Sequence, residues 1–207
     1  MPQTIGLAAS NLACQRGGRT VFRDLSFKLG PGEALLVSGP NGAGKTSLLR
    51  QIAGLLPLAA GELRLDGASP DAALPELCHY VGHLSAVKPS LSVGENLQFW
   101  AAFLGGARAP GNSAAAAFAL EPLAELPAGL LSAGQKRRLA LSRLFAAPRP
   151  IWLLDEPQAS LDTASLKLLE QAIAGHLAGG GLAVVASHMP LETKFAHALA
   201  LGRERVA

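Results

Sequence analysis

Cysteine, aromatic residues, charge and long apolar runs are all scarce in this chain of 207 residues. The two cysteines, Cys14 and Cys78, are too few and too far apart for a disulfide scaffold, a CxxC redox pair or a metal ribbon. They are expected to be small buried thiols in a reducing compartment. Aromatics make up 5% of the chain and charged residues 16%, with 18 Lys and Arg against 15 Asp and Glu. That balance carries no strong electrostatic signature of nucleic acid. No stretch approaches the roughly 18 to 20 apolar residues of a membrane-crossing helix. The start, MPQTIGLAASNLACQ, lacks the basic-then-apolar order of a secretion leader. These absences predict a soluble, cytoplasmic chain.

What is abundant is apolar surface. Hydrophobic residues reach 49%, while 23 Gly and 14 Pro remain below the level of low-complexity disorder. The length can bury a substantial core, and some apolar surface is in excess for a partner. No repeat of 20 to 50 residues and no linker divides the chain.

Residues 5–14 and 20–30 read as an antiparallel ribbon, with Val21, Leu25, Phe27 and Leu29 on one parity. Residues 33–39 form a short apolar strand, followed by a Gly-rich loop and a helix that breaks at Pro57. Short strands are expected at 62–67 and 77–83, and helical spacing at 92–104 and 113–123, separated by a Gly/Pro/Asn break at 105–112. An amphipathic helix over 133–147, an apolar strand from Ile151 to the acids Asp155 and Glu156, a helix from Ser165 to a Gly stop and a strand ending at His188 complete the chain. Strands alternating with helices predict an α/β fold with a parallel core, an antiparallel β subdomain at the front and a helical insert at about 84–147.

Gly39, Pro40, Asn41, Gly42, Ala43, Gly44, Lys45 and Thr46 match G-x-x-x-x-G-K-[ST] in the required strand-to-helix position. The loop's backbone N–H groups can curl round an anion, and the helix start adds its dipole. Lys45 can reach the β and γ phosphates of a nucleotide, Thr46 can ligate Mg²⁺, and Ser47 continues the loop into the helix. Four apolar residues then deliver Asp155 to the end of a buried strand, where it can hold the Mg²⁺ shell, and Glu156 can orient or deprotonate a water. Leu131-Ser132-Ala133-Gly134-Gln135 is a second helix start able to bind an anion.

Taken together these segments resemble the ATP-binding cassette (ABC) ATPases, P-loop NTPases whose signature LSGGQ reads LSAGQ here. The order of the remaining elements agrees: Ser160-Leu161-Asp162 resembles the D-loop, and His188 the switch histidine. The resemblance covers about residues 7–201 as a single ABC ATPase domain. It implies ATP hydrolysis coupled to transport in a head-to-tail dimer. There Ser132, Gly134, Gln135 and Asp162 of one protomer would complete the site formed by Lys45 of the other, and His188 would hold the γ-phosphate and the water together with Glu156.

The chain departs from the family twice. Counting back from Glu95-Asn96, the Q-loop glutamine falls on His83, which is expected to reach Mg²⁺ or the attacking water. The adenine-stacking aromatic falls on Arg16, whose guanidinium can stack on a base, while Phe22 reads as a core residue.

Within the family the chain resembles the ATP-binding subunits of bacterial cytochrome c biogenesis (haem exporter) systems, through CQRGGRTVF, YVGH, SVGENL and LLSAGQKRRLALSRL. That implies integral-membrane partner subunits at the cytoplasmic face of the inner membrane, peripheral attachment, and haem only indirectly. Another ABC importer or exporter would carry the same catalytic residues. The run Lys136-Arg137-Arg138 reads as a solvated helix face. On the helix from Ser92, Val93, Leu97, Trp100 and Leu104 read as core, and Phe99 with Phe103 as a surplus apolar face.

Overall fold

The computed structural model describes residues 5–69, 71–105 and 111–202, with backbone alone for 111–113. Most of the break expected at 105–112 lies outside these residues. Strands β1 (Gly6–Arg16) and β2 (Arg19–Leu29) turn on Gly17 and Gly18, both at positive φ. Strand β3 (Ala34–Ser38) runs through the Gly-rich loop into α1 (Lys45–Ile52), and β4 (Ala60–Asp66) returns to β1. There follow β5 (Cys78–Val81), α2 (Val93–Phe103), α3 (Gly111–Ala116), α4 (Ala133–Ser142), β6 (Ile151–Asp155), α5 (Thr163–Ala178), β7 (Leu182–Ala186) and β8 (His197–Ala200).

Two sheets form. The antiparallel sheet has the order β2-β1-β4; the second is parallel throughout, β5-β6-β7-β3-β8. Helix α1 lies in the core between the sheets, with Leu48, Leu49 and Ile52 packed among Leu7, Leu12, Val37 and Leu153. On the other face of the parallel sheet, Ala140 and Leu141 of α4 and Leu169 and Ile173 of α5 meet Trp152, Leu154 and Val185. Strand β6 therefore sends Ile151 and Leu153 to one core and Trp152 and Leu154 to the other. A parallel strand covered on both faces has this uninterrupted apolar sequence. The helical segment has its own small core of Val93, Leu97, Leu120, Leu131 and Leu139.

The departures from expectation have local causes. Asn11 (φ 51) and Asp24 (φ 55) interrupt the pleat of β1 and β2, and a bulge reverses which side chains point inward. Val21 therefore leaves the parity of Leu25 and Leu29 and faces the Gly-rich loop, while Phe22 packs on the core. The helix expected over 133–147 tightens to a 3-10 turn at Arg143–Phe145, and 113–123 divides into a short helix and a 3-10 turn at Glu121–Leu123. Strand β8 was not expected: at the sheet edge it pairs only with β3 and is largely exposed, so it has no apolar pattern. Trp100 and Leu104 are half-buried rather than core. Trp100 instead takes the Arg143 guanidinium over its ring at 4.3 Å. Both cysteines are buried and free, and burial pushes the Cys78 thiol up to about 12.

One histidine is buried and a second is half-buried. His79 is buried beside Ala147 and donates from Nε2 to its carbonyl at 2.7 Å. Burial pushes its pKa down to about 4, the Ala147 bond opposing. His176, stacked on Trp152 at 3.9 Å, is lowered for the same first reason. Because the unfolded chain takes up these protons first, the stabilisation is complete above the ordinary histidine range near about 6.5 and is lost as pH falls towards 4. Urea unfolding followed from pH 7.5 to 4.5 should therefore show stability falling by roughly 1 to 3 kcal/mol from His79. His79→Gln, which keeps a donor for Ala147 but does not titrate, should reduce that fall; an unchanged pH dependence in the variant would contradict the assignment.

Candidate nucleotide-binding and hydrolysis site

The loop that follows β3 can form only because its glycines accept positive φ: 139° at Gly39, 85° at Gly42 and 103° at Gly44. A Cβ on Gly44 would stand 2.6 Å from Val21 Cγ1, so β2 closes directly over the loop. Gly44 caps α1 without a side-chain bond, and no acid lies in the helix's first turn. The N–H groups and dipole at this helix start are thus left for an anion.

Lys45 is buried at that start. Its Nζ donates to the Gly39 carbonyl at 2.8 Å and the Pro40 carbonyl at 3.4 Å, and lies 3.8 Å from Glu156 Oε1. The next residue, Thr46, donates its hydroxyl to Asp155 Oδ2 at 2.8 Å. Tyr80, on the neighbouring strand β5, donates to the same carboxylate oxygen at 3.4 Å and receives Arg50 Nε at 3.4 Å. Glu156 follows at a left-handed φ of 48°. Its Oε2 accepts from His188 Nδ1 at 2.8 Å and from Gln158 Nε2 at 3.4 Å. Gln158 in turn reaches Ser187 Oγ, which donates to the Met189 carbonyl.

A cavity of about 460 Å³ opens between these groups, lined by Arg16, Val21, the loop from Pro40 to Ser47, His83, Asp155 and Glu156. The fold thus brings Arg16 and His83 to the cavity with the loop and the paired acids, and His188 to Glu156. Phe22 does not line the cavity and packs on the core. Ser132, Gly134, Gln135 and Asp162 do not line it. Ser132 and Gln135 form a reciprocal cap at the start of α4, and a Cβ on Gly134 would meet the Ser160 carbonyl at 2.8 Å. Asp162 accepts from the Ser165 N–H at 2.7 Å to cap α5; the Ser165 side chain first, and then this N–H, lowers its pKa. A larger groove of about 880 Å³, walled by Leu144, Trp152, Leu168 and Ala172, holds none of the expected site residues.

Contrary to the solvated face expected of Lys136-Arg137-Arg138, Arg137 is 3% exposed. Its guanidinium donates to the carbonyls of Gly82, Asp155, Glu156 and Pro157 at 2.7 to 3.0 Å. Burial lowers its pKa, while the charges of Asp155 and Glu156 raise it. The available signal was its spacing: Arg137 precedes Ala140 and Leu141 by three and four residues, which places it on the buried face of α4. Tyr80, Gln158 and Ser187, missed in the sequence, have no such signal.

The ABC transporter family model matches residues 22–159. The cytochrome c biogenesis ATP-binding export protein CcmA of Rhodopseudomonas palustris (strain BisB5) is 54% identical over 185 residues, covering 89% of this chain and 92% of that protein. Its counterpart in Chelativorans sp. (strain BNC1) is 50% identical over 199 residues, covering 95% and 98%. A putative ABC transporter ATP-binding protein from Pyrococcus furiosus superposes with a TM-score of 0.81 at 23% identity, over 95% of this chain and 97% of that one. At that identity the structural likeness concerns the fold.

Removing the Lys45 ammonium should weaken ATP binding by about tenfold or more, since hydrogen bonds from a charged group contribute about 1.5 to 3 kcal/mol. A nucleotide titration of Lys45→Ala checks this, and unchanged affinity would remove Lys45 from the site.

Proposed function

Since the chain belongs to the ABC transporter family of ATP-binding proteins, we propose that it is the ATP-hydrolysing subunit of an export complex that handles haem for cytochrome c maturation. The observation that carries the catalytic part is the set Lys45, Thr46, Asp155 and Glu156 lining one cavity, with His188 bonded to Glu156. The β and γ phosphates lie on the N–H groups of the loop and beside Lys45, and the base faces Arg16. Glu156, aligned by His188 Nδ1, accepts a hydrogen bond from the water that attacks the γ-phosphate and draws its proton. His83 faces the same water from the opposite loop.

The Thr46 hydroxyl and the Asp155 carboxylate are hard oxygen donors 2.8 Å apart, a pair suited to Mg²⁺. When bound there, Mg²⁺ supplies neutralisation of phosphate charge. Phosphoryl transfer then depends chiefly on positioning and charge stabilisation.

Ser132, Gly134, Gln135 and Asp162 lie away from their own cavity, which fits a head-to-tail dimer in which they reach a partner's γ-phosphate. No helix among the described residues is long and apolar enough to cross a membrane. Attachment at the cytoplasmic face of the inner membrane therefore falls to integral-membrane subunits, and haem is met through them. Phe103 is 70% exposed, and Phe99 stacks on it at 6.1 Å with Lys88 Nζ over the other ring at 4.2 Å. Asn96 anchors the Lys88 backbone through both its N–H and its carbonyl. The loop after His83 and the Phe99–Phe103 face thus form one surface, which receives a cytoplasmic segment of the membrane subunit.

Two experiments test these assignments. Glu156→Gln should bind ATP yet lose about a hundredfold or more in kcat, the usual contribution of a general base, and should accumulate an ATP-bound dimer on size-exclusion chromatography. Wild-type turnover at saturating Mg·ATP would refute the role of Glu156. Replacing Phe99 and Phe103 together with Ser should release the chain from membranes while preserving ATP binding, because interface aromatics commonly contribute about 2 kcal/mol or more each. Undiminished membrane association and activity would show that this face is not the contact.

A further inference from the structure

Arg137 spends its whole guanidinium on backbone. Nη1 donates to the Gly82 carbonyl at 2.7 Å, Nη2 to those of Asp155 and Glu156 at 3.0 and 2.9 Å, and Nε to that of Pro157 at 3.0 Å. Three of these acceptors are consecutive and surround Glu156. The fourth immediately precedes His83.

Two features show that this is more than packing. First, Glu156 holds φ at 48°, a conformation that a residue with a side chain keeps only where its surroundings impose it. A rigid donor fork fixing the carbonyls of Asp155, Glu156 and Pro157 is such an imposition, and it sets the direction in which the Glu156 carboxylate leaves the backbone. Second, Arg137 belongs to the first turns of α4, the helix whose start carries Ser132, Gly134 and Gln135. The same side chain therefore connects the segment that would meet a partner's nucleotide to the two loops that line this chain's own cavity. A planar guanidinium can serve four acceptors from three directions; a lysine ammonium has three donors on one point and cannot span them.

We propose that Arg137 is a positioning residue for ATP hydrolysis, which locks Glu156 and the His83 loop to the start of α4 so that they move as one unit when that helix engages a nucleotide. The inference rests on the reading of Glu156 as the residue that orients the attacking water.

The test compares Arg137→Lys and Arg137→Met with Arg149→Lys. Arg149 also spends its guanidinium on backbone carbonyls, those of Pro75, Cys78 and Leu104, but at the wall of the distant groove. For each variant the melting temperature, the ATP dissociation constant, and kcat and KM are measured. The Arg137 variants should keep ATP affinity and KM within about threefold and lose about tenfold or more in kcat, as displacement of a catalytic group by a fraction of an ångström does. Arg149→Lys should melt earlier with kcat within about twofold of wild type. If Arg137→Met does not fold, Arg137→Lys decides by the same criteria. The proposal is overturned if kcat in Arg137→Lys stays within about twofold of wild type, or if affinity and kcat fall together and Arg149→Lys shows the same pattern. Glu156→Gln is assayed alongside. If it turns over normally, the reading of Glu156 fails and takes the inference with it; if it stalls while Arg137→Lys does not, only the role of Arg137 falls.

Discussion

Parallel pairing is the constraint on which the chemistry depends. Because β5, β6, β7 and β3 run in one direction, the segments that follow them emerge along a single edge of the sheet. These are Gly82-His83, Asp155-Glu156, Ser187-His188 and the loop from Gly39. The pairing of the sheet thus gathers four pieces of chain separated by tens of residues at one place. Open α/β sheets place ligands outside the carboxyl ends of their strands for this reason. The burial of β6 on both faces makes the arrangement stiff, since no rotation of that strand is possible without exposing either Leu153 or Leu154.

A second layer of polar bonds refines what the sheet places. Gln158 and Ser187, both buried, link the turn that carries Glu156 to the turn that carries His188. Tyr80 and Thr46 share one oxygen of Asp155. In a region of low dielectric such bonds are stronger than at the surface, and leaving one unmade is correspondingly costly. The site is therefore ordered by its neighbours before any nucleotide enters, in the manner of a preorganised electrostatic site.

The helical segment joins this sheet through cations buried against backbone and rings. Arg137 reaches the carbonyls around Glu156, and Arg143 covers Trp100 and donates to the Ala140 carbonyl. Burial pushes the Arg143 pKa down to about 10, with Arg137 adding to the effect. Two guanidinium groups buried side by side destabilise each other, and their carbonyl partners and the Trp100 ring offset that cost.

The local motifs were legible in the sequence because each is defined by its own neighbours in the chain. Glycines that must adopt positive φ, a lysine and threonine at a helix start, and an apolar strand ending in Asp155 and Glu156 have the same chemistry wherever they occur. The buried strands β3, β6 and β7 and the ribbon of β1 with β2 were legible for the same reason. The tertiary structure decided what depends on distant partners. The spacing of Arg137 puts it on the buried face of α4, but the carbonyls that accept from it, those of Gly82 and Asp155, 55 and 18 residues away, are supplied by the fold. Val21 turns from the parity of Leu25 and Leu29 to the Gly-rich loop because of a bulge at Asp24, whereas Phe22 packs on the core as expected, and β8 exists only because β3 offers it an edge. Local conformation follows from adjacent residues and their torsional preferences, whereas the burial of a side chain follows from which other element covers it, and that information is not carried by any single stretch of sequence.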